Sequence, residues 1–179
     1  DRENARRSRL NSVSEVYVAA GSNVEPERYL RLAAKEIALK FPGARFSAAY
    51  KNAAVGFEGE DFINFVVGFS TDMPVEAVIA ELQRIEGLCG RTRDAPKWAP
   101  RSMDLDILVF GDRVCDLPGL VLPRPDLLKR PYMLGPMTEL APNFVHPTRL
   151  STMAQLWENF DRAAHPMVRV EIGLDSAIE

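Results

Sequence analysis

The order of the apolar segments constrains the fold of this chain more than any other feature of its sequence. Four short runs rich in apolar and β-branched residues predict strands at residues 16–21, 45–50, 62–71 and 104–110. Two further segments have apolar residues at helical spacing, one between the first two strands and one between the last two. The resulting β-α-β-β-α-β order predicts a ferredoxin-like core of the α+β class, a two-layer α/β sandwich with C-terminal additions.

Proline and glycine mark the limits of both helices. Pro26 suits the first turn of a helix, and Pro42 with Gly43 ends that helical pattern. The segment 72–74, Asp-Met-Pro, provides the chemistry of a second helix start, and that pattern ends near Gly87. The predicted buried faces of the two helices consist of Leu30, Ala33, Ala34, Ile37 and Phe41, and of Val75, Val78, Ile79, Leu82 and Ile85.

Length and composition predict a single domain. A chain of 179 residues with 46% hydrophobic residues is long enough for one substantial core. Residues 1–14 are polar and basic, and we expect a poorly ordered extension there, followed by one domain over 15–179. After residue 110 we expect loops and short elements that wrap the core, then a helix starting at Ser151 and a last strand over 168–172. This expectation rests on prolines 118, 123, 125, 131 and 136.

The charge and the cysteines narrow the classes of function. A formal net charge of −3 argues against broad binding of nucleic acid or of anionic membrane. Cys89 and Cys115 have neither redox-pair nor zinc-site spacing, which favours a reducing cytoplasm. No apolar stretch approaches the roughly 18 residues of a membrane span. We therefore expect a cytoplasmic protein with small-molecule ligands and no obligatory protein partner.

A cluster of cations directly precedes two carboxylates. Arg91, Arg93, Lys97 and Arg101 come shortly before Asp104-Leu105-Asp106. Side chains two apart in a strand point to the same face, about 6.6 Å apart along the strand. Paired carboxylates of this kind bind Mg²⁺ and leave coordination positions for phosphate oxygens, while arginines bind phosphate bidentately. Taken alone, such acids more often form a solvated edge of a sheet than a binding site, but the neighbouring cations favour metal-assisted phosphate chemistry.

Other phosphate and nucleophile signatures are lacking in the sequence. It contains no GxxxxGK[ST] motif, which excludes a Walker-type phosphate loop. Its two histidines, His146 and His165, both stand beside prolines, so nucleophilic catalysis by serine or cysteine with a histidine base is poorly supported. Any nucleotide site must use another arrangement.

Several segments together resemble the 6-hydroxymethyl-7,8-dihydropterin pyrophosphokinase family. The strongest is WAPRSMDLDILVFG at 98–111, close to the family signature. Supporting segments are AGSN at 20–23, QRIE at 83–86, GRTR at 90–93 and APNFVH at 141–146. The similarity runs in unbroken order from about Val16 to His146, which covers most of the chain.

The resemblance implies an ATP-dependent diphosphotransferase of folate biosynthesis. Such an enzyme moves the terminal diphosphate of ATP onto the hydroxymethyl group of the reduced pterin and releases AMP. The resemblance implies two Mg²⁺ ions, with ATP as co-substrate and the pterin as acceptor. It assigns catalysis to Arg91 and Arg101; metal binding to Asp104 and Asp106; ATP binding to Gln83, Glu86, Arg93, Trp98, Ile107, Arg124 and Arg130; and pterin binding to Val55, Phe62, Asn64 and Tyr132.

Two departures from the family pattern lie among these residues. Arg124-Pro125 stands where a histidine is common, and an arginine cannot reproduce a titrating imidazole. Asn52-Ala53-Ala54 stands where Thr-Pro-Pro is usual, which removes proline constraints from a loop beside the pterin. Two alternatives therefore stay open: a non-catalytic relative that binds a nucleotide or a protein, and a related enzyme with another acceptor.

Overall fold

A computed structural model describes residues 12–52, 61–90 and 103–178. One antiparallel sheet forms its centre, with strands in the order β5-β1-β4-β3-β8 and with β2 paired to β4. A separate hairpin consists of β6 and β7. The strands are β1 Ser14–Ser22, β2 Arg45–Phe46, β3 Ala49–Asn52, β4 Phe62–Thr71, β5 Asp104–Phe110, β6 Cys115–Leu117, β7 Leu120–Leu122 and β8 Val168–Val170.

Within the described residues, two long helices and three shorter ones accompany these strands. The helices are α1 Pro26–Lys40, α2 Val75–Leu88, α3 Pro131–Leu140, α4 Met153–Glu158 and α5 Leu174–Ile178, with a 3₁₀ helix at Pro125–Leu128. The strand order β5-β1-β4-β3, connected through α1 and α2, is that of a ferredoxin-like core, so the predicted fold is confirmed.

The two faces of the sheet are covered by different helices. In β1, Val16, Val18 and Ala20 belong to the core that α1 and α2 cover. Tyr17 and Ala19 point the other way, into a second core that contains α3 and α4 residues. This alternation follows from the two-residue period of a strand. Helices α3 and α4 thus pack on the face that the ferredoxin-like core leaves open, whereas Leu174 of α5 belongs to the core under α1 and α2.

The second predicted strand is interrupted. Instead of one strand over 45–50, β2 and β3 are separated by Ser47 and Ala48. The Ser47 backbone N–H donates to the Val66 carbonyl at 2.8 Å, and the Ser47 hydroxyl accepts the Val66 N–H at 2.9 Å. The Ala48 N–H turns away and donates to the Glu139 carboxylate on α3 at 2.8 Å. The side chains of Ser47 and Glu139 replace the ladder partners that a continuous strand would have used.

The C-terminal region is more helical than its prolines predict. α3 runs for 10 residues with Pro131 in its first turn and Pro136 in its interior. The second helix also begins differently from the prediction, since its N-cap is Pro74 and no side chain caps it. The helix predicted from Ser151 begins at Met153, where Thr152 forms a capping box with Gln155. The last strand is confirmed over Val168–Val170, and α5 was not predicted.

The prediction for residues 1–14 is only partly accessible to the structure. Residues 1–11 lie outside the described residues, and Ser14 already belongs to β1. The extension and the single domain over 15–179 therefore stay predictions. Within the described residues, no helix combines the length and the apolar character needed to cross a membrane.

Candidate active site

Strand register brings three of the predicted site residues onto one face of the sheet. Gly21 in β1 pairs with Asn64 in β4 on one side and with Asp104 in β5 on the other. Ala19 pairs with Asp106 in the same way. Paired residues and residues two apart share a face, so Asn64, Asp104 and Asp106 project together on the side that α3 covers.

A first cavity of about 270 Å³ opens over this face. It contains five of the residues predicted to bind the pterin or ATP, namely Phe62, Asn64, Arg124, Arg130 and Tyr132, together with both aspartates. Its full lining is Ala19, Ala20, Gly21, Asn52, Phe62, Asn64, Asp104, Asp106, Arg124, Asp126, Arg130, Tyr132 and Met133. Strand ends and the start of α3 together form this cavity.

A second cavity of about 320 Å³ lies between α2, β5 and the β6–β7 hairpin. It contains four residues predicted to bind ATP, namely Gln83, Glu86, Ile107 and Arg124. Glu86 also accepts the backbone N–H of Leu105 at 3.1 Å, which ties α2 to β5 between the two aspartates. The lining is Ile79, Leu82, Gln83, Glu86, Leu105, Asp106, Ile107, Gly119, Leu120, Val121 and Arg124.

Asp106 and Arg124 line both cavities. Arg124 Nη1 lies 3.6 Å from Asp106 Oδ1, and Arg124 Nε lies 3.2 Å from Asp126 Oδ2. The second contact is an ion pair without hydrogen-bond geometry, since among the described residues the buried Nε–H has no acceptor. A guanidinium held between two carboxylates therefore marks the place where the two cavities meet.

The wall of the first cavity depends on a close approach at Gly21. A Cβ at this position would lie 2.6 Å from Asn64 Oδ1 and 3.8 Å from Phe62 Cδ1. Asn64 is only 5% exposed, and its amide donates to the Asn52 side-chain oxygen. Glycine thus leaves room for the Asn64 amide, and Asn52 fixes that amide from the neighbouring strand.

Tyr132 connects the apolar and charged parts of the first cavity. Burial is the main cause that raises the pKa of Tyr132, and Asp126 and Asp106 raise it further. Arg130 and Arg124 act in the opposite direction. The phenol therefore stays protonated at neutral pH, which gives the cavity an aromatic face with a hydrogen-bond donor at its edge.

The donor set suits a hard divalent cation. Asp104 and Asp106 offer carboxylate oxygens from one strand face into one cavity, which is the chemistry that Mg²⁺ selects. Among the residues that the structure describes, no group of three or more His, Cys, Asp or Glu side chains converges. The described part of the chain thus offers the two aspartates, and Mg²⁺ commonly takes its other ligands from phosphate oxygens and water.

Some predicted site residues cannot be placed. Val55, Arg91, Arg93, Trp98 and Arg101 lie outside the described residues. The structure brings the other ten together around the two cavities.

Asn52 and Asp126 also line the first cavity, although sequence reasoning did not predict a role for either. The unusual Asn52 in the segment 52–54 was a signal for the first. Asp126 gave none, because its position depends on the 3₁₀ helix.

Comparisons with known proteins identify relatives of this sequence. The profile of the family described as 7,8-dihydro-6-hydroxymethylpterin-pyrophosphokinase matches residues 17–142. A 2-amino-4-hydroxy-6-hydroxymethyldihydropteridine pyrophosphokinase of Aquifex aeolicus is 33% identical over 134 residues, which cover 74% of this chain and 83% of the relative. The protein of the same name from Pseudomonas aeruginosa is 36% identical over 135 residues, with 73% and 83% covered.

A solved structure supports the fold independently. The wild-type HPPK-DHPS of Plasmodium falciparum with pterin and p-hydroxybenzoate superposes with a TM-score of 0.64 at 14% sequence identity. The match covers 83% of this chain and 43% of that longer chain. At this identity the likeness concerns the fold alone.

The fold and the site define a ferredoxin-like protein with a charged cleft between two ligand-sized cavities. The match over residues 17–142 then specifies the family. The chain belongs to the 7,8-dihydro-6-hydroxymethylpterin-pyrophosphokinase family.

Proposed function

We propose that this chain transfers the terminal diphosphate of ATP to the hydroxymethyl group of 6-hydroxymethyl-7,8-dihydropterin, a step of folate biosynthesis. The products are AMP and the pterin diphosphate. The observation that carries the proposal is that Asp106 and Arg124 line two adjoining cavities in a chain of this family. Two substrates could occupy the two cavities, with the charged groups located where the phosphates pass between them.

The first cavity suits the pterin. Phe62 and Tyr132 provide aromatic surface for a planar ring, and the nearly buried Asn64 provides amide hydrogen-bonding groups. The second cavity suits the nucleotide. Apolar Ile107 and Leu120 line it together with the polar Gln83, a combination typical of small-molecule sites, where few polar groups fix orientation.

Charge stabilisation accounts for the reaction in this proposal. The pterin hydroxyl oxygen forms a bond to the β-phosphorus, the bond from that phosphorus to the α–β bridging oxygen breaks, and the hydroxyl loses its proton. Negative charge collects on the bridging oxygen that leaves with AMP. Arg124 and Arg130 provide fixed positive charge beside the cavities, and Asp104 and Asp106 would hold two Mg²⁺ ions. When bound, these ions supply electrostatic stabilisation of the phosphate oxygens.

Further parts of the proposal rest on the family resemblance. It assigns catalysis of diphosphate transfer to Arg91 and Arg101, an ATP contact to Arg93, closure of the site to Trp98, and a pterin contact to Val55. Cys89 and Cys115 are free thiols, which suits the reducing cytoplasm where ATP is available. We propose ATP and the reduced pterin as the partners, without nucleic acid, membrane or an obligatory protein.

Product analysis tests this function. Protein, ATP, magnesium and 6-hydroxymethyl-7,8-dihydropterin should yield AMP and a pterin diphosphate in equal amounts by mass spectrometry. Asp104→Asn and Asp106→Asn keep the side-chain shape but lose the charge, so each should lower kcat by roughly two to three orders of magnitude.

Asp112→Asn is the matched control, because Asp112 is exposed and follows the other end of the same strand. It should keep wild-type turnover. Wild-type activity in Asp106→Asn would refute the metal assignment. Absence of product from folded wild-type protein would refute the reaction and favour another acceptor or a binding role.

A further inference from the structure

The positively charged guanidinium of Arg124 contacts Asp106, a proposed metal ligand. Its Nη1 lies 3.6 Å from Asp106 Oδ1 and its Nε lies 3.2 Å from Asp126 Oδ2. The side chains of Arg124 and Asp106 are 35% and 30% exposed, so solvent screens this pair only in part. A divalent cation at Asp106 must therefore share one carboxylate with a guanidinium.

The backbone holds Arg124 at this position. Its N–H donates to the Leu108 carbonyl of β5 at 2.8 Å, and its carbonyl accepts the Leu127 N–H at 3.1 Å. Leu127 is fully buried and anchors the 3₁₀ helix in the second core. Because Leu108 lies two residues after Asp106 on the same strand, the guanidinium and the carboxylate belong to one fixed unit.

We propose that Arg124 makes divalent-cation binding at Asp106 depend on the nucleotide. The inference rests on the proposed function and adds a mechanism of substrate order to it. Without a triphosphate, the fixed charge of Arg124 opposes a cation at the carboxylate it contacts. A triphosphate in the second cavity, which Arg124 also lines, brings negative charge that compensates the guanidinium and the cation together.

Arg130 provides the matched comparison within the same site. It lines the first cavity only, whereas Arg124 lines both cavities. It also lies near enough to lower the pKa of Tyr132, so it adds charge to the same cavity. Loss of its charge changes the general potential of the cleft, whereas loss of the Arg124 charge changes the contact with Asp106.

The test measures Mn²⁺ affinity by electron paramagnetic resonance, with and without α,β-methylene-ATP, which cannot react at the bond in question. The ratio of the two affinities reports the coupling. In Arg124→Gln we expect free Mn²⁺ to bind about tenfold tighter, with a matching fall in the ratio. Arg124→Lys keeps the charge and should keep most of the ratio, while Arg130→Gln should raise the free-ion affinity much less than Arg124→Gln does.

Two results would overturn the proposal. One is an unchanged ratio in Arg124→Gln, repeated in Arg124→Met to exclude an effect of the new amide. The other is an equal change in Arg130→Gln, which would indicate a general potential instead of a specific contact. Asp106→Asn must abolish the high-affinity Mn²⁺ signal, since otherwise the ion binds elsewhere and the proposal fails.

The product assay on wild-type protein separates this proposal from the proposed function. If the wild-type protein forms product but Arg124→Gln leaves the affinity ratio unchanged, only the role of Arg124 is refuted. If the ratio falls in Arg124→Gln but the wild-type protein forms no product, only the acceptor is refuted.

Discussion

Gly21 lies in β1, between Asn64 of β4 and Asp104 of β5, and it lines the first cavity. Its hydrogen atom occupies the position where any Cβ would meet the Asn64 amide oxygen at 2.6 Å. Because this contact is with the short side chain of a nearly buried residue, the amide must move to relieve it. One methyl group can therefore change the shape of the cavity wall.

We expect Gly21→Ala to weaken pterin binding by about tenfold and to lower the free energy of unfolding by about 1–3 kcal/mol. Fluorescence titration with the pterin and urea unfolding measure the two effects. Gly87→Ala is the control, since a Cβ there meets nothing within 4 Å. In that helical position alanine should raise stability by roughly 0.5–1 kcal/mol. Pterin affinity unchanged in Gly21→Ala would contradict the assignment of Asn64 to the pterin.

Sequence patterns predicted the residues whose chemistry is visible in their spacing. Asp104 and Asp106 two apart in a strand, and Gln83 and Glu86 three apart in a helix, converge as local periodicity requires. The Asn52–Asn64 hydrogen bond joins residues from two strands, and no local pattern specifies it. Residue contacts of this kind arise from strand register.

The break between β2 and β3 shows how side chains replace ladder hydrogen bonds. Ser47 is buried, and its hydroxyl accepts the Val66 N–H at 2.9 Å inside the sheet. Glu139 holds the other side of the break, where it accepts the Ala48 N–H at 2.8 Å and the Tyr50 hydroxyl at 2.6 Å. Burial and this carboxylate raise the pKa of Tyr50 to about 12.

Ser47→Ala should leave the Val66 N–H buried without that acceptor. The expected loss is about 1–3 kcal/mol in the free energy of unfolding, measured by urea denaturation. Ser70→Ala on the same sheet is the control, because Ser70 is exposed and its loss should stay within about 0.5 kcal/mol. Equal losses in both variants would mean that the Ser47 hydroxyl has no special part in the sheet.

Helix α3 shows where local propensity gives way to tertiary packing. Pro136 inside a helix costs about 3 kcal/mol locally, which is why loops were predicted here. Burial of Met133, Leu134 and Met137 against the sheet offsets that cost. Gly135 also brings the backbone close to Trp157, whose Cη2 would lie 2.9 Å from an added Cβ. This segment is therefore helical because it packs against the sheet and against Trp157, not because of its local propensity.

At the scale of the molecule, one face of the sheet is covered by the larger apolar core and the other also carries the candidate active site. The face under α1 and α2 contains the larger apolar core, which the helical periodicity predicted. The other face contains a smaller core under α3 and α4, and both aspartates lie at its open end. The sequence predicts the first face well because it is built from long periodic elements. The second face depends on short elements whose positions follow from packing.

His146 lies in the segment between α3 and α4, where its neutral imidazole accepts backbone hydrogen bonds. It is 2% exposed, and its Nδ1 accepts the backbone N–H groups of Thr148 at 3.2 Å and Arg149 at 3.1 Å. Burial, and secondly the charge of Arg149, lowers the pKa of His146 below its ordinary value. A proton on Nδ1 would also remove the acceptor that both N–H groups use.

The unfolded chain therefore binds this proton first as the pH falls, at the ordinary histidine pKa of about 6.5. The contribution of His146 to stability is present above that pH and is lost as the pH falls through the lower folded pKa. In urea unfolding between about pH 7.5 and 5, His146→Asn should decline less steeply than the wild type, since the amide oxygen replaces Nδ1 without titrating. His165→Asn, which changes an exposed imidazole, should follow the wild-type curve. Parallel curves for wild type and His146→Asn would show that the buried ring accepts its proton as readily in the folded protein as in the unfolded chain.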